Sequence, residues 1–360
     1  MVVLLAVKDE GKIWDFGFYF KREGRRVWGR CYMGKRRSRR GYWIAIWVLA
    51  FLLVGSWLTN MGLMAVLMGG GSQVAEEYPV DEEPYFDEVW SSGYGDAKVV
   101  RLALNGVIMR GEQERLFGVS PDPVALLLRQ IRCATEDDEV AAILLEVDSP
   151  GGGVTASDEI YEALRRFRAS EVGRRVVVHV RDVGASGAYY VAMAADYVMA
   201  EPTSIVGSVG VIMQTLNMKG LGDKLGLEAV TIASGENKDL LNPFEEVDTN
   251  QVALLQGVVD AMQDRFAGLV MEARDLESRA LLDGRIFVAG DALEAGLIDG
   301  IGYEDAALDE LARQLDVEAL YVVRYEEQLD VWESLLRARG PSVSVAPWRA
   351  GPRFLYIWRP

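Results

Sequence analysis

Between Arg40 and Glu76 the chain runs for 35 residues without a charged side chain. Within that run Tyr42–Leu67 reads YWIAIWVLAFLLVGSWLTNMGLMAVL. As a helix it would be about 39 Å long at ~1.5 Å per residue, more than the roughly 30 Å of hydrocarbon in a bilayer, so it spans with some tilt. Lys35, Arg36, Arg37, Arg39 and Arg40 stand just before it, and residues 71–100 after it hold eight acids and only Lys98. The excess of basic residues on one flank puts the N-terminus in the cytoplasm and everything after residue 68 outside, with Tyr42 and Trp43 suited to the interface. A cleaved signal peptide would have a shorter apolar stretch of ~7–15 residues and small residues at its cleavage site. Here Gln73 spoils the site ending at Ala75. The expectation is an uncleaved anchor whose partner is the lipid bilayer.

Composition supports this division. Residues 1–40 carry twelve Lys/Arg against four Asp/Glu, so +8 of the formal net charge of −16 lies there and the remainder carries −24. Such an acidic ectodomain excludes nucleic acid as a partner, and an apolar share of 50% suffices for a core. Cys31 and Cys133 fall on opposite sides of the membrane and cannot bridge; Cys133, in VALLLRQIRCA, reads as a buried small apolar residue. No metal-ligand cluster and no cofactor motif is present in the sequence. Met33-Gly34-Lys35-Arg36-Arg37 would make a natural membrane-protein start, and whether residues 1–32 are translated is left open by the sequence.

The domains read as a basic cytoplasmic segment (1–40), a transmembrane helix (41–68), an acidic linker (69–96), a catalytic domain (97–325) and a C-terminal tail (326–360). The tail ends in PRFLYIWRP, which suits an edge strand, a membrane-surface contact or a segment reaching an active site. From Ala97 the texture alternates. VVRLALNGVIM, VAAILLEVDS and RRVVVHVRD read as strands, while DPVALLLRQIRCATED and ASDEIYEALRRFRAS read as helices. ASGAYYVAMAADYVMAE follows as a helix, TSIVGSVGVIM as a turn and strand, and LEAVTIAS as a strand. A long helix near Asn250–Ser278 has an apolar face of Val252, Leu255, Val259, Met262, Phe266 and Leu269, and a last helix lies near Glu304–Leu315. This order predicts an α/β domain with largely parallel strands.

Four motifs carry chemistry. Ser186, in Gly184-Ala185-Ser186-Gly187-Ala188-Tyr189-Tyr190, sits where a strand turns into a helix, and N–H groups there favour a developing negative charge; the same position suits a plain N-cap serine. Asp148-Ser149-Pro150-Gly151-Gly152-Gly153 ends a strand, and the amides of Gly152 and Gly187 have the chemistry of an oxyanion site or of an ordinary β–α turn. Lys238 lies in SGENKDLLNPF. A lysine used as a general base must shed its proton, which drying by Leu240, Leu241 and Phe244 would favour and Asp239 and Glu236 would oppose; its other reading is a surface charge. Ser208, in Gly207-Ser208-Val209-Gly210, suits an acceptor that orients a lysine amine, or a turn serine. The single histidine, His179, lies mid-strand and reads as structural.

Together and in order, LLEVDSPGGGVTASDEIYEALR, RDVGASGAYYVAMAAD, EPTSIVGSVGVIM, SGENKDLLNPF and DGRIFVAGDALEAGLID resemble the bacterial signal peptide peptidase A family over about residues 97–325. The resemblance implies a Clp protease/crotonase-like fold, a repeated β-β-α spiral, in a membrane-anchored serine endopeptidase of the bacterial inner membrane with its catalytic domain extracytoplasmic. It implies Ser186 as nucleophile, Lys238 as general base, Ser208 as the residue orienting the lysine, and Gly151, Gly152 and Gly187 as the oxyanion hole. It further implies peptide substrates, chiefly signal-peptide remnants and misfolded envelope proteins, no cofactor, and a homo-oligomeric ring in which each site borrows its neighbour's lysine. Ala188 departs from the family's usual glycine. The competing readings are a crotonase-like thioester enzyme and a catalytically inactive membrane scaffold.

Overall fold

The chain divides into two units, Met1–Glu77 and Tyr78–Pro360. A computed structural model describes residues 5–7, 15–22, 25–31, 39–69, 84–111, 113–115, 118–120, 122–235, 237–327 and 354–358. The expected start at Met33, linker residues 70–83 and tail residues 328–353 lie outside the described residues.

In the first unit β1 (Leu5–Val7), β2 (Asp15–Arg22) and β3 (Arg25–Cys31) form an antiparallel sheet in chain order. The basic composition of this segment conceals the alternation in DFGFYFKR and RRVWGRC that makes strands of it. Next comes α1 (Arg39–Gly69), 31 residues long. Its described side chains, Ile44 and 46–61, are exposed on all sides of the helix except at half-buried Ala50. That run is shorter than a bilayer requires, so among the described residues no helix is long and apolar enough to cross a membrane.

The second unit opens with β4 (Asp87–Ser92), inside the stretch whose composition reads as linker, and β5 (Ala97–Asn105). A short hairpin, β6 (Gln113–Arg115) and β7 (Gly118–Ser120), precedes α2 (Pro123–Glu136). Then come β8 (Val140–Ser149), β9 (Gly151–Gly153), α3 (Val154–Ser170), β10 (Arg175–Ala185), α4 (Gly187–Ala192) and β11 (Tyr197–Ala200). After β12 (Ile205–Gly207) and β13 (Ile212–Met213) the chain forms α5 (Lys219–Leu225) and α6 (Thr249–Arg274). It closes with β14 (Ile286–Val288), α7 (Ala289–Glu294), β15 (Gly300–Ile301), α8 (Glu304–Leu315), β16 (Leu320–Glu326) and β17 (Phe354–Ile357).

Nine strands make one mixed sheet in the order β14-β12-β10-β8-β5-β16-β4, with β11 and β15 branching from β10. The run from β16 through β5, β8 and β10 to β12 is parallel, and the edge pairs β12–β14 and β16–β4 are antiparallel. Along β8, Ile143, Leu145 and Val147 face the core under α2, α3 and α4, whereas Ala142 and Leu144 face the core under α8. A sheet covered on both sides explains why VAAILLEV is apolar throughout rather than alternating. Helix boundaries follow their caps. The Asp122 carboxylate accepts from Val124 N and Ala125 N ahead of Pro123, and Asp248 caps α6 through Asn250 N.

Three expectations fail locally. The helix over ASGAYYVAMAADYVMAE ends at Ala192, because Tyr197–Ala200 pairs with Val177–Val180 of β10. LEAVTIAS is not a strand: Leu227, Val230 and Ile232 stand exposed and pair with no strand among the described residues. In α6 the expected face is buried only near its C-terminal half, where Phe266, Ala267 and Val270 meet the core, and Val252 is exposed. Cys133 packs half-buried against the core, as its sequence context implies.

The α8 side of the sheet holds a polar row. Arg101 donates to Glu146 at 2.7 and 2.9 Å and to Glu304 at 2.7 and 2.9 Å. His179 shares that face, 1% exposed, with Nε2 3.9 Å from Glu201 Oε1 and its pKa held down by burial. It points away from the core against which α4 packs. Arg101→Ala would strand the buried Glu146 carboxylate and is expected to cost about 3 kcal/mol. Glu304→Ala, at a half-exposed partner, is expected to cost about 1 kcal/mol or less. Urea unfolding of the two variants checks the difference.

Candidate active site

β10 carries a valine-rich run into the middle of the sheet and pairs with Gly207 of β12 at its last residue, Ala185. The chain then reverses into α4 through one residue. Ser186 adopts φ 56° and ψ −117°, a region that favours glycine and costs another residue about 1–3 kcal/mol. Two backbone hydrogen bonds hold it there, Ser186 N to Gly207 O at 2.7 Å and Tyr190 N to Ser186 O at 2.8 Å. The side chain is 1% exposed, and Oγ has no hydrogen-bond partner among the described residues. Although Ser186 stands at the N-cap position, its hydroxyl makes no cap hydrogen bond. The plain N-cap role is therefore not the one it fills. An unpartnered buried hydroxyl on a strained turn is doubly unfavourable for stability, the pattern expected where a side chain is kept for chemistry.

The glycine strand β9 lies beside this turn. Ile108 N donates to Gly151 O at 2.9 Å, and Gly153 N donates to Ile108 O at 2.7 Å. One edge of β9 is thus spent on Ile108, and the N–H and C=O of Gly152 face the other edge. Gly151 has φ 92° and donates its N–H to Ser149 Oγ at 3.1 Å. A Cβ on Gly151 would come within 2.6 Å of Gly187 N, and one on Gly187 would come within 3.1 Å of Gly152 N. The glycines at 151 and 187 let the two backbones approach. The amide of Gly152 and the residue following Ser186 are neighbours as a result.

Ser208 is buried, with φ 52°, and its N–H bonds Arg285 O at 2.7 Å. Gly207, just before it, holds Ser186, so both serines belong to one knot of backbone. Lys238 is elsewhere. It is exposed, in a turn closed by Lys238 N to Gly235 O at 3.0 Å, and no described residue bonds its Nζ. The Asp239 carboxylate is taken by Asn242 Nδ2 at 2.8 Å. Within one chain, then, the structure gathers Ser186, Ser208, Gly151, Gly152 and Gly187 but does not join Lys238 to the Ser186 hydroxyl. Sequence reasoning passed over Ser149, whose signal is a hydroxyl two residues before the glycine amide it accepts from. It also passed over Ile108, whose contribution is backbone and leaves no residue signature.

A strained buried serine between glycine amides, at the end of a central strand of a mixed α/β sheet, defines a serine peptidase with a Clp protease-like domain. Residues 118–213 match the Clp protease family model and residues 168–318 match peptidase family S49. Over 243 residues the chain is 33% identical to "Putative signal peptide peptidase SppA" of Enterococcus faecium, covering 67% of this chain and 70% of that one. It is 28% identical over 223 residues to "Protease 4" of Haemophilus influenzae, covering 61% of this chain and 35% of that one. It is 29% identical over 180 residues to "Serine protease SPPA, chloroplastic" of Arabidopsis thaliana, covering 49% of this chain and 26% of that one. The chain belongs to the signal peptide peptidase A family, peptidase family S49. Ser186→Gly removes the strained Cβ along with the hydroxyl and is expected to raise unfolding stability by about 1 kcal/mol while abolishing hydrolysis. Denaturant titration beside a peptidase assay reads both.

Proposed function

We propose that the chain is a membrane-anchored serine endopeptidase in which Ser186 is the nucleophile and Lys238, supplied by a neighbouring copy, is the general base. The observation that carries this reading is the Ser186 hydroxyl, buried, unpartnered and held on a left-handed turn beside the Gly152 amide. Ser186 Oγ attacks the peptide carbonyl as its proton passes to Lys238 Nζ. The oxyanion accepts hydrogen bonds from the Gly152 and Gly187 amides, with Gly151 shaping the strand that presents them. Collapse breaks the C–N bond, and the lysine returns the proton to the leaving amine. Water, deprotonated by the same lysine, then releases the acyl group and regenerates the serine. Ser208 accepts from the lysine and orients it.

One chain leaves apolar side chains near its lysine segment uncovered. Leu216, Leu225, Val230 and Ile232, in the segment before Lys238, are exposed, as are Val252 and Leu254 of α6. Exposed apolar side chains suit burial against a partner, and a ring of copies would cover them while bringing each Lys238 to a neighbour's Ser186.

The anchor rests on the sequence: Tyr42–Leu67 carries no charge and as a helix would be about 39 Å long at ~1.5 Å per residue, and its exposed apolar side chains are unfavourable in water but suited to lipid. With the basic flank inside, the catalytic unit lies on the extracytoplasmic face of the inner membrane. Substrates are then peptides that partition to that surface, signal-peptide remnants first and misfolded envelope proteins second.

Ser186→Ala and Lys238→Ala are each expected to abolish peptide hydrolysis and fluorophosphonate labelling of the serine. Mixed and reassembled, the two variants are expected to recover about a quarter of wild-type activity, as random head-to-tail pairing of subunits predicts. Failure to recover, with rings intact, would assign the lysine to the same chain as its serine.

A further inference from the structure

The glycine strand β9 is held at both ends by hydroxyls that the hydrolytic steps above do not use. Ser149, the last residue of β8, is 0% exposed, and its Oγ accepts from Gly151 N at 3.1 Å. Ser157, in the first turn of α3, is also 0% exposed, and its Oγ donates to Gly153 O at 3.0 Å. Ile108 supplies the other two bonds, to Gly151 O and from Gly153 N. Every backbone N–H and C=O of Gly151 and Gly153 thus has a partner within this cluster, and Gly152 directs both of its groups to the edge away from Ile108. Three glycines in a row make a strand whose peptide planes rotate at little steric cost, and Gly151 already stands at φ 92°. The direction of the Gly152 N–H is therefore set by hydrogen bonds at its neighbours rather than by side-chain bulk.

Both hydroxyls interrupt apolar rows. Along β8, Ile143, Leu145 and Val147 face the core, and Ser149 is the next residue in that alternation. Along α3, Ser157 shares the buried face with Ile160, Leu164 and Phe167. Alanine at either place would fill the core without a polar group, and in α3 it would suit the helix better. Each serine is instead the member of its row nearest Ser186. The Ser157 hydroxyl also reaches the second amide of the site. It stands so close to Gly187 that a Cβ there would overlap it, and the same Cβ would come within 3.1 Å of Gly152 N. Ser157 thus bonds the end of β9 and packs against the residue after the nucleophile.

We infer that Ser149 and Ser157 are positioning residues of the protease, which hold the Gly152 and Gly187 amides in the direction that receives the oxyanion. The inference rests on the nucleophile and oxyanion reading above. Neither hydroxyl touches the reacting atoms; each acts through a glycine. An aimed amide gains most from the charge that develops on the substrate oxygen, so loss of aim falls on the transition state and spares peptide binding. A serine that served only the fold would change the amount of folded protein and leave the turnover of each folded molecule as it was.

The test uses the full chain in detergent micelles, an internally quenched peptide, and a peptide boronate that becomes tetrahedral on Ser186 Oγ. Ser149→Ala and Ser157→Ala are each expected to lower kcat about three- to tenfold with KM unchanged, and to weaken the boronate by the same factor. A peptide with a methylene in place of the scissile carbonyl, which has no oxygen to offer the amides, is expected to bind the variants as it binds wild type. Ser149→Cys and Ser157→Cys fill the same space with a weaker hydrogen-bonding group. They are expected to fall between wild type and alanine, and they carry the test where alanine lowers the folded yield. Unchanged turnover per folded molecule, or equal weakening of the boronate and the methylene peptide, would overturn the inference. Fluorophosphonate labelling separates the two levels. Wild-type Ser186 labelled, with turnover unchanged in the variants, removes the positioning role alone. Wild-type Ser186 unlabelled, with no peptide cut, removes the nucleophile reading beneath it.

Discussion

One backbone hydrogen bond, from Ser186 N to Gly207 O at 2.7 Å, fixes the point on which the rest of the site depends. It extends the pairing of β10 with β12 one residue past the strand and compels the chain to turn at a residue with a Cβ. Strain of about 1–3 kcal/mol at one residue persists because β10 is paired on both sides and Val176, Val177 and Val178 are wholly buried. On the other side of the turn the β9 glycines come close enough that a Cβ at 151, 152 or 187 would collide with neighbouring backbone or with Ser157. The serine is thus clamped between a buried strand and a strand with no side chains.

The sheet was legible because each central strand is a run of β-branched residues between helices whose caps are local. Asp122-Pro123 opens α2 and Asp248 opens α6, each within three residues of what it caps. The glycines were legible for the opposite reason: three in a row after a strand have no packing use, so a close approach must explain them. What stayed hidden is non-local. The tail strand Phe354–Ile357 is four residues long and finds its partners about 200 and 140 positions earlier, at Gly151–Gly153 and Ile212–Met213. Arg265 and Asp158 are 107 residues apart. The misread helix after Ala192 has the same origin, since AADYVMA is helical by local preference and a strand only because β10 offers it an edge.

The geometry of Lys238 differs in kind from that of Ser186. The serine is overdetermined by its own chain, while the lysine sits in a turn held by one backbone bond and a few side-chain amides. In the segment before it, Leu216, Leu221, Leu225, Leu227, Val230 and Ile232 are exposed among charged residues. Both facts have one physical resolution if the surface is completed by another copy, since association removes apolar area from water and the lysine's hydration together.

The cleft combines two kinds of surface. β9 and β13 offer hydrogen bonds to any extended backbone, and the glycines of β9 add nothing a side chain can read. A protease built only of these edges would bind its substrates by length and extension. The aromatic wall at Tyr190 and Phe266 is braced by a charge pair, Arg265 with Asp158, that spans two helices, and the Tyr356 ring packs against it.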